Sequence, residues 1–205
     1  MSSALRREQL LAVALEEFGR RGFHLTQMDH VADAAQVSKA LLYQHFDSKE
    51  ALFAEVTALV VDEVGGRLNI ATQAAEGSLD RVRATVRVIF DYATQEPLAW
   101  AVIVRHLDKP EVGVELGELR DRLGAAFADI LMVNRRADPT LSAEVLAATE
   151  RRVEMIVPLM YGSLLSMVSW WLDHPGTPRE RAESMAVEFI WLGLERLRSG
   201  ERLPR

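Results

Sequence analysis

The chain has 205 residues, of which 49% are hydrophobic and 26% are charged, so it can bury a sizeable core as one large domain or two small ones. It contains no cysteine, which excludes disulfides and thiolate metal sites. The net charge of −6 argues against a general nucleic-acid coat protein, although a specific DNA reader needs only a positive contact face. Since neither a signal peptide nor an apolar membrane-spanning run is evident, we expect a cytoplasmic protein without membrane contacts.

Apolar residues recur with a helical period along the chain, and no convincing period-two stretch interrupts them. The sequence therefore predicts an all-α fold of about nine helices. Proline, glycine and capping residues separate them, most clearly in the predicted turn over 173–178. The predicted helices cover residues 4–21, 26–35, 38–46, 48–75, 78–95, 97–107, 113–136, 139–172 and 178–198.

Local signals bound the first three helices. Gly22 is well placed as a left-handed cap at the end of the first helix. Thr26 and Asp29 have the spacing of a capping box that opens the second helix, and Ser38 can cap the third. Leu42 and Phe46 are its inward residues.

Three short helices, the second and third separated by about three residues, are typical of a DNA-reading helix-turn-helix. The third helix, about 15 Å long, has the size that fits a major groove. Its outward side chains are mostly small or polar and suited to base edges and phosphates: Ser38, Lys39, Ala40, Leu41, Tyr43, Gln44 and His45.

The run TQMDHVADAAQVSKALLYQHFDSKEALF, residues 26–53, resembles the signature of the tetracycline-repressor (TetR) family. The most telling part is Val-Ser-Lys followed by Leu-Tyr-x-His-Phe-x-Ser-Lys-Glu-x-Leu-Phe. The resemblance covers roughly residues 5–60. It implies an N-terminal three-helix DNA-binding domain over 1–50 and a C-terminal helical effector-binding and dimerisation domain over 51–205.

The same resemblance implies roles for individual side chains. Phosphate contacts are expected from Thr26, Tyr43, His45 and Lys49. Base contacts are expected from Gln27, Ser38, Lys39 and Ala40. Alternatively, Tyr43 is a core aromatic residue and His45 a solvated helix-end residue. Arg6 and Arg7 form either an arm that reaches the DNA or a plain solvated face.

Two departures from the family pattern lie within this region. Gln36 stands where the family usually has glycine, and in a left-handed conformation glutamine costs on the order of 1 kcal/mol. Ala40 and Leu41 also differ from the usual residues, so the family's operator sequences cannot be carried over to this chain.

The last two predicted helices are apolar on more than one side, which indicates burial against more than one neighbour. This looks like the family's dimer interface, a bundle of two helices from each subunit. The alternative is that both helices complete the core of one monomer. The interface is expected at Leu164, Met167, Val168, Trp171, Met185, Phe189 and Leu192.

Apolar and aromatic side chains of the intervening helices predict the wall of a small-molecule site. The candidate ligand-binding residues are Phe90, Tyr92, Trp100, His106, Phe127 and Tyr161. For each of them the alternative is a place in the ordinary core. Pro158 interrupts the helical hydrogen bonding and predicts a kink that can open room for a ligand.

By the resemblance, the chain is expected to be a homodimeric repressor that a small-molecule effector releases from a pseudo-palindromic double-stranded DNA operator. The apolar candidate wall predicts an apolar or aromatic effector. A non-inducible or protein-partnered regulator, and an activator, are the alternatives. An enzyme is not expected, because no nucleophile–base arrangement, zinc ligand set or glycine-rich phosphate loop is present. We expect no metal and no cofactor.

Overall fold

The structure is a computed structural model that describes residues 2–106, 121, 124, 125, 128, 132 and 139–198, with backbone only for 195–198. Within these residues the regular secondary structure is α-helical, which confirms the predicted all-α class. The eight helices described are α1 (Ser3–Leu25), α2 (Met28–Ala34), α3 (Lys39–His45), α4 (Lys49–Gln73), α5 (Ser78–Gln95), α6 (Pro97–His106), α7 (Ala143–Leu172) and α8 (Arg179–Arg198).

Most helix boundaries agree with the predicted ones to within about two residues. The predicted helix over 113–136 lies mostly outside the described residues, of which 121, 124, 125, 128 and 132 are helical. The predicted start of the next helix at residue 139 is wrong. α7 begins at Ala143, because the Ser142 side chain accepts a hydrogen bond from the Val145 amide and so caps the helix.

The chain divides into two compact units, Met1–Val64 with Tyr92–Leu119, and Gly65–Asp91 with Arg120–Arg205, here called the first and second units. In the first unit the core unites α1, α2 and α3 with Leu52, Phe53 and Val56 of α4 and Val102 of α6. The Phe53 ring lies edge-on to Phe18, with their centroids 4.9 Å apart. The first three helices are therefore held together by side chains from two later helices.

Helices α1 and α6 pack closely within the first unit. At Gly19 an added Cβ would lie 2.7 Å from the Leu98 carbonyl oxygen, so only glycine permits this approach. Gly22 then bends α1 with a φ of 76°, which confirms its predicted positive φ. The predicted end of the helix at residue 21 is wrong, because α1 resumes after this bend and ends at Leu25. Arg105 of α6 donates to the Gly19 carbonyl oxygen at 2.7 Å and so stabilises the carbonyl end of α1 before the bend.

In the second unit, α7 and α8 each bury one apolar stripe. The buried residues of α7 are Val153, Val157, Met160, Tyr161, Leu164 and Val168, and those of α8 include Ala182, Ala186, Ile190 and Leu194. The Arg179 side chain at the start of α8 donates to Asp91 of α5 and to Glu183. Partial burial works to lower the pKa of Arg179, but its hydrogen bonds to Asp91 and Glu183 raise it overall.

Among the described helices, α7 alone is long and apolar enough to cross a membrane by length and composition, a test that core helices of soluble proteins also pass. The predicted turn after α7 is present. Its geometry is held by the Trp171 indole, which donates to the Thr177 carbonyl oxygen at 3.0 Å.

Candidate functional site

The turn between α2 and α3 has the hydrogen bonds of a Schellman motif. The Gln36 amide donates to the Asp33 carbonyl at 3.1 Å, and the Val37 amide donates to the Ala32 carbonyl at 3.0 Å. This arrangement requires a left-handed residue between the helices, and Gln36 has a φ of 55°. The position where the family usually has glycine therefore keeps the glycine conformation with a glutamine side chain.

The beginning of α2 differs from the predicted capping box. Gln27, not Thr26, is the N-cap residue, and its amide donates to His30 Nδ1 at 3.2 Å. Thr26 has an exposed fraction of 0%, and its hydroxyl donates to the carbonyl oxygens of Gly22 and Glu17. The Thr26 side chain is therefore part of the end of α1. Because its hydroxyl is buried and already hydrogen bonded, it is not placed to make the phosphate contact expected for it.

Helix α3 presents a polar face to solvent and an apolar face to the core. Leu42 and Phe46 are buried, as predicted. The Ser38 side chain caps the helix by accepting a hydrogen bond from the Leu41 amide at 3.2 Å. The exposed residues at and beyond this cap are Ser38, Lys39, Ala40, Tyr43 and Gln44.

Two aromatic side chains near the end of α3 differ in burial. Tyr43 is 44% exposed, so the alternative that placed it in the core is wrong. His45 is partly buried, and its ring centroid lies 6.3 Å from that of Phe46. Tyr43 is accordingly presented to solvent on the same face as Lys39, whereas His45 lies at the margin of the core.

An ion pair joins α2 to α3 on this face. Lys39 Nζ lies 2.7 Å and 3.0 Å from the two carboxylate oxygens of Asp29. The hydrogen bond to Asp29 raises the pKa of Lys39, because the carboxylate stabilises the ammonium form. Both residues belong to predicted features of the sequence, Asp29 to the capping box and Lys39 to the reading helix, but nothing in the local spacing indicated that they pair.

Lys49 stabilises the junction between α4 and α1. Its ammonium donates to the Phe23 carbonyl oxygen at 3.0 Å and lies 4.2 Å from the Phe23 ring centroid. Because an ammonium has three N–H donors, this bond does not by itself prevent a phosphate contact.

The N-terminal arginines belong to α1, which begins at Ser3, and so do not form an extended arm. Arg6 donates to Gln9 on the same helix. Arg7 forms an ion pair with Glu55 and lies over the Phe46 ring at 4.8 Å from its centroid. Arg7 therefore packs against α4 and the end of α3.

The residues expected at the dimer interface fall into two groups. Leu164 and Val168 are buried within the second unit, and Trp171 packs on Phe90 with ring centroids 5.3 Å apart. Met185, Phe189 and Leu192 lie exposed along α8, and Met167 is partly exposed.

A groove of about 780 Å³ runs between α7 and α8, and Leu164, Met167, Met185 and Phe189 all line it. Trp170 also lines the groove. Met155 and Leu159 lie exposed on the preceding turns of α7, at 68% and 70%. None of these three side chains was among the predicted interface residues. The four-residue spacing of Met155 and Leu159, which places both on one helix face, is the sequence signal that could have identified those two.

The candidate ligand-binding residues are buried wherever they are described. Phe90 and Tyr161 belong to the second unit, whereas Tyr92, Trp100 and His106 belong to the first. Phe127 lies outside the described residues. A cavity of about 330 Å³ in the second unit is lined by Tyr161 and by Pro158, the residue predicted to open room in its helix.

Two carboxylates lie at this cavity, and they bear on whether it could hold a metal ion. The carboxylate-bearing residues at the cavity are Asp121 and Glu154, beside apolar residues that include Val153 and Val157. Within the part of the chain that the structure describes, no group of three or more histidine and carboxylate side chains is placed to hold a metal ion.

Known proteins match both the N-terminal part of the chain and nearly its whole length. The family described as "Bacterial regulatory proteins, tetR family" matches residues 10–56. Over 193 residues the chain is 30% identical to the HTH-type transcriptional activator FasR of Mycolicibacterium smegmatis, covering 92% of this chain and 83% of that protein. It is 29% identical over 129 residues to the HTH-type transcriptional repressor KstR2 of Rhodococcus jostii, covering 62% of this chain and 63% of the repressor.

Solved structures share the fold over nearly the whole chain. A TetR-like transcriptional regulator from Rhodococcus sp. RHA1 superposes with a TM-score of 0.74 at 23% identity, covering 95% of this chain and 98% of that one. The regulator FadR from Bacillus subtilis, solved in complex with stearoyl-CoA, gives a TM-score of 0.66 at 16% identity, covering 95% and 99%.

Proposed function

Because the chain belongs to the tetR family of bacterial regulatory proteins, which are helix-turn-helix transcriptional regulators, we propose that it is a homodimeric repressor released from its operator by a small-molecule effector. It acts in the cytoplasm on double-stranded DNA. Neither a catalytic activity nor a cofactor is part of the proposal.

The observation that carries the proposal is the exposed face of α3. A capped helix that buries Leu42 and Phe46 while presenting Lys39, Ala40 and Tyr43 to solvent has the arrangement of a reading helix in the major groove. We keep Gln27, Ser38, Lys39 and Ala40 as base contacts. We keep Tyr43, His45 and Lys49 as phosphate contacts, and Thr26 leaves that set because its side chain is buried.

We assign residues 1–50 to DNA binding and 51–205 to effector binding and dimerisation. The exposed side chains of α7 and α8 support a second copy of this chain as the partner. Met155, Leu159, Phe189 and Leu192 form apolar surface that a monomer would leave in water, and burying it against an identical face lowers the free energy. Such a two-fold dimer presents two α3 helices to a pseudo-palindromic site.

The 330 Å³ cavity beside Pro158 and Tyr161 supports an effector site in the second unit. Its apolar walls favour an apolar or aromatic molecule that carries a polar group. The stearoyl-CoA bound to B. subtilis FadR is not transferred to this chain, because at 16% identity the two proteins share the fold alone. The effector acts by preferring a dimer arrangement whose two reading helices no longer match adjacent major grooves.

Selection of bound duplexes from randomised and genomic DNA tests the DNA-binding part of the proposal. We expect a pseudo-palindrome whose half-sites lie about one helical turn apart or a multiple of it. Affinity for it should fall with added salt as counterions are released. A folded dimer that enriches no sequence would contradict the proposal.

The selected duplex then provides the assay for effectors. A panel of acyl, steroid and aromatic compounds is titrated against the protein–DNA complex, and small molecules carried through purification are identified by native mass spectrometry. We expect at least one compound class to release the DNA. If every compound leaves the affinity unchanged, the non-inducible alternative is favoured.

An activator is the second candidate, because the relative that matches 92% of this chain is a transcriptional activator. The two functions differ in the sign of one measurement. In transcription reconstituted with purified polymerase on a promoter that contains the selected operator, a repressor lowers the transcript yield and an activator raises it.

A further inference from the structure

We propose that Asp29 is a specificity-determining residue of the DNA-binding surface, which holds the Lys39 ammonium for a base edge and keeps it from the phosphates. The inference rests on the proposed function and concerns the ion pair between α2 and α3. Asp29 therefore improves the discrimination between operator and random DNA, although its negative charge opposes DNA binding in general.

The geometry places Asp29 and Lys39 on opposite sides of the helix-turn-helix turn. Asp29 lies in the first turn of α2 and Lys39 begins α3, and the two carboxylate oxygens lie 2.7 Å and 3.0 Å from Nζ. Both side chains are about half exposed, at 53% and 54%, so the pair lies on the solvent face of the motif.

A lysine ammonium is a compact charge on a flexible stem with three donors. When such a group is unrestrained beside DNA, the strongest attraction comes from the nearest phosphate, and this attraction is the same for every sequence. A lysine that mainly contacts phosphates therefore raises the affinity for all DNA without raising the discrimination between DNA sequences.

Asp29 changes that balance by its charge as well as by its hydrogen bonds. A carboxylate within 3.0 Å of Nζ repels an approaching phosphate, whereas it repels an uncharged acceptor far less. Guanine presents two uncharged acceptors, N7 and O6, in the major groove, and lysine is one of their usual partners. The Asp29–Lys39 pair therefore favours a guanine contact over a phosphate contact.

Asp33 offers a matched control. It lies four residues after Asp29 on α2, is exposed, and carries the same charge, but it is not the residue that holds Lys39. The experiment compares wild-type protein with Asp29→Asn, Asp33→Asn, Lys39→Met and the double variant Asp29→Asn with Lys39→Met. Dissociation constants are measured for the selected operator and for a random duplex of equal length, over a range of salt concentrations.

For Asp29→Asn we expect the ratio of random-duplex to operator dissociation constants to fall by about fivefold. Its salt dependence on random DNA should steepen by about 0.9 in log–log slope, the effect of one additional phosphate contact. Repeated selection should show weaker preference for guanine at the position read by Lys39. Asp33→Asn should strengthen both affinities by a similar factor and leave the ratio unchanged.

In the Lys39→Met background, Asp29→Asn should no longer change the ratio of random-duplex to operator dissociation constants, because the lysine side chain that Asp29 restrains is absent. Equal ratios for Asp29→Asn and Asp33→Asn would overturn the inference and reduce Asp29 to a general negative charge. An effect of Asp29→Asn that persists without Lys39 would overturn it as well. If wild-type protein enriches no sequence, the proposed function itself fails, which is a distinguishable result.

Discussion

Gln36 has a left-handed backbone conformation, which glycine adopts most easily. The Schellman hydrogen bonds at the end of α2 require its φ of 55°, where a side chain with a Cβ is strained. We expect Gln36→Gly to raise the free energy of unfolding by about 0.5–1 kcal/mol, measured by urea denaturation.

Gln44→Gly provides the control for this substitution. Gln44 is exposed within α3, where glycine should lower the free energy of unfolding by about 0.5–1 kcal/mol. A Gln36→Gly variant that is destabilised as much as Gln44→Gly would show that the turn does not hold residue 36 in the left-handed region.

Thr26 separates a structural role from a DNA-contact role. Its buried hydroxyl donates to two carbonyl oxygens at the end of α1, so Thr26→Val should lower the free energy of unfolding by about 1 kcal/mol. Operator affinity, measured where both proteins are fully folded, should stay within about twofold, because the hydroxyl faces protein rather than a phosphate. Thr26→Ser keeps the donor and should be near wild type in both assays. A large loss of operator affinity in Thr26→Val without loss of stability would restore the phosphate role.

At the scale of helices, the contact between α1 and α6 depends on the absence of a side chain at Gly19. Because a Cβ there would lie 2.7 Å from the Leu98 carbonyl oxygen, Gly19→Ala should destabilise the protein by about 1–3 kcal/mol. The readout is the free energy of unfolding from chemical denaturation.

Gly66 of α4 is the matched position, since it is also helical and a Cβ there meets no atom within 4 Å. Gly66→Ala should be stabilising by about 0.5–1 kcal/mol, because alanine loses less backbone entropy in a helix. If both glycines tolerate alanine equally, the close approach of α1 and α6 is not what retains Gly19.

At the scale of the whole molecule, the exposed apolar face of α7 and α8 predicts a dimer. Phe189 is 65% exposed, so Phe189→Glu places a charge in the proposed interface without disturbing a monomer. We expect a folded monomer by light scattering, with unchanged helical circular dichroism and operator affinity reduced about a hundredfold or more, since one half-site contact is lost.

Ile70→Glu introduces the same charge at another exposed apolar position, on α4, where Ile70 is 72% exposed. This variant should remain dimeric and bind the operator normally. A Phe189→Glu protein that stays dimeric would move the interface away from α8.

The regular elements and the DNA-binding motif were predictable from the sequence, because helices depend on near neighbours. Residues three and four apart share a helix face, and caps act within one turn, so periodicity and spacing located the helices and the bend at Gly22. The left-handed position of Gln36 was expected from the family resemblance alone. Leu42 and Phe46 were assigned to the core for the same reason. The reading face of α3 follows once its buried side is known.

Only the tertiary structure determined the contacts between residues that are far apart in the chain. The burial of Thr26, the pairing of Asp29 with Lys39, and the bond from Arg105 to a carbonyl of α1 depend on how separate helices pack. On α7 and α8 the sequence showed apolar residues on more than one side. Tertiary packing determined which apolar stripe is buried and which one, including Phe189, remains exposed. Periodicity is local, whereas burial is a property of the assembled core, and this is the physical reason for the difference.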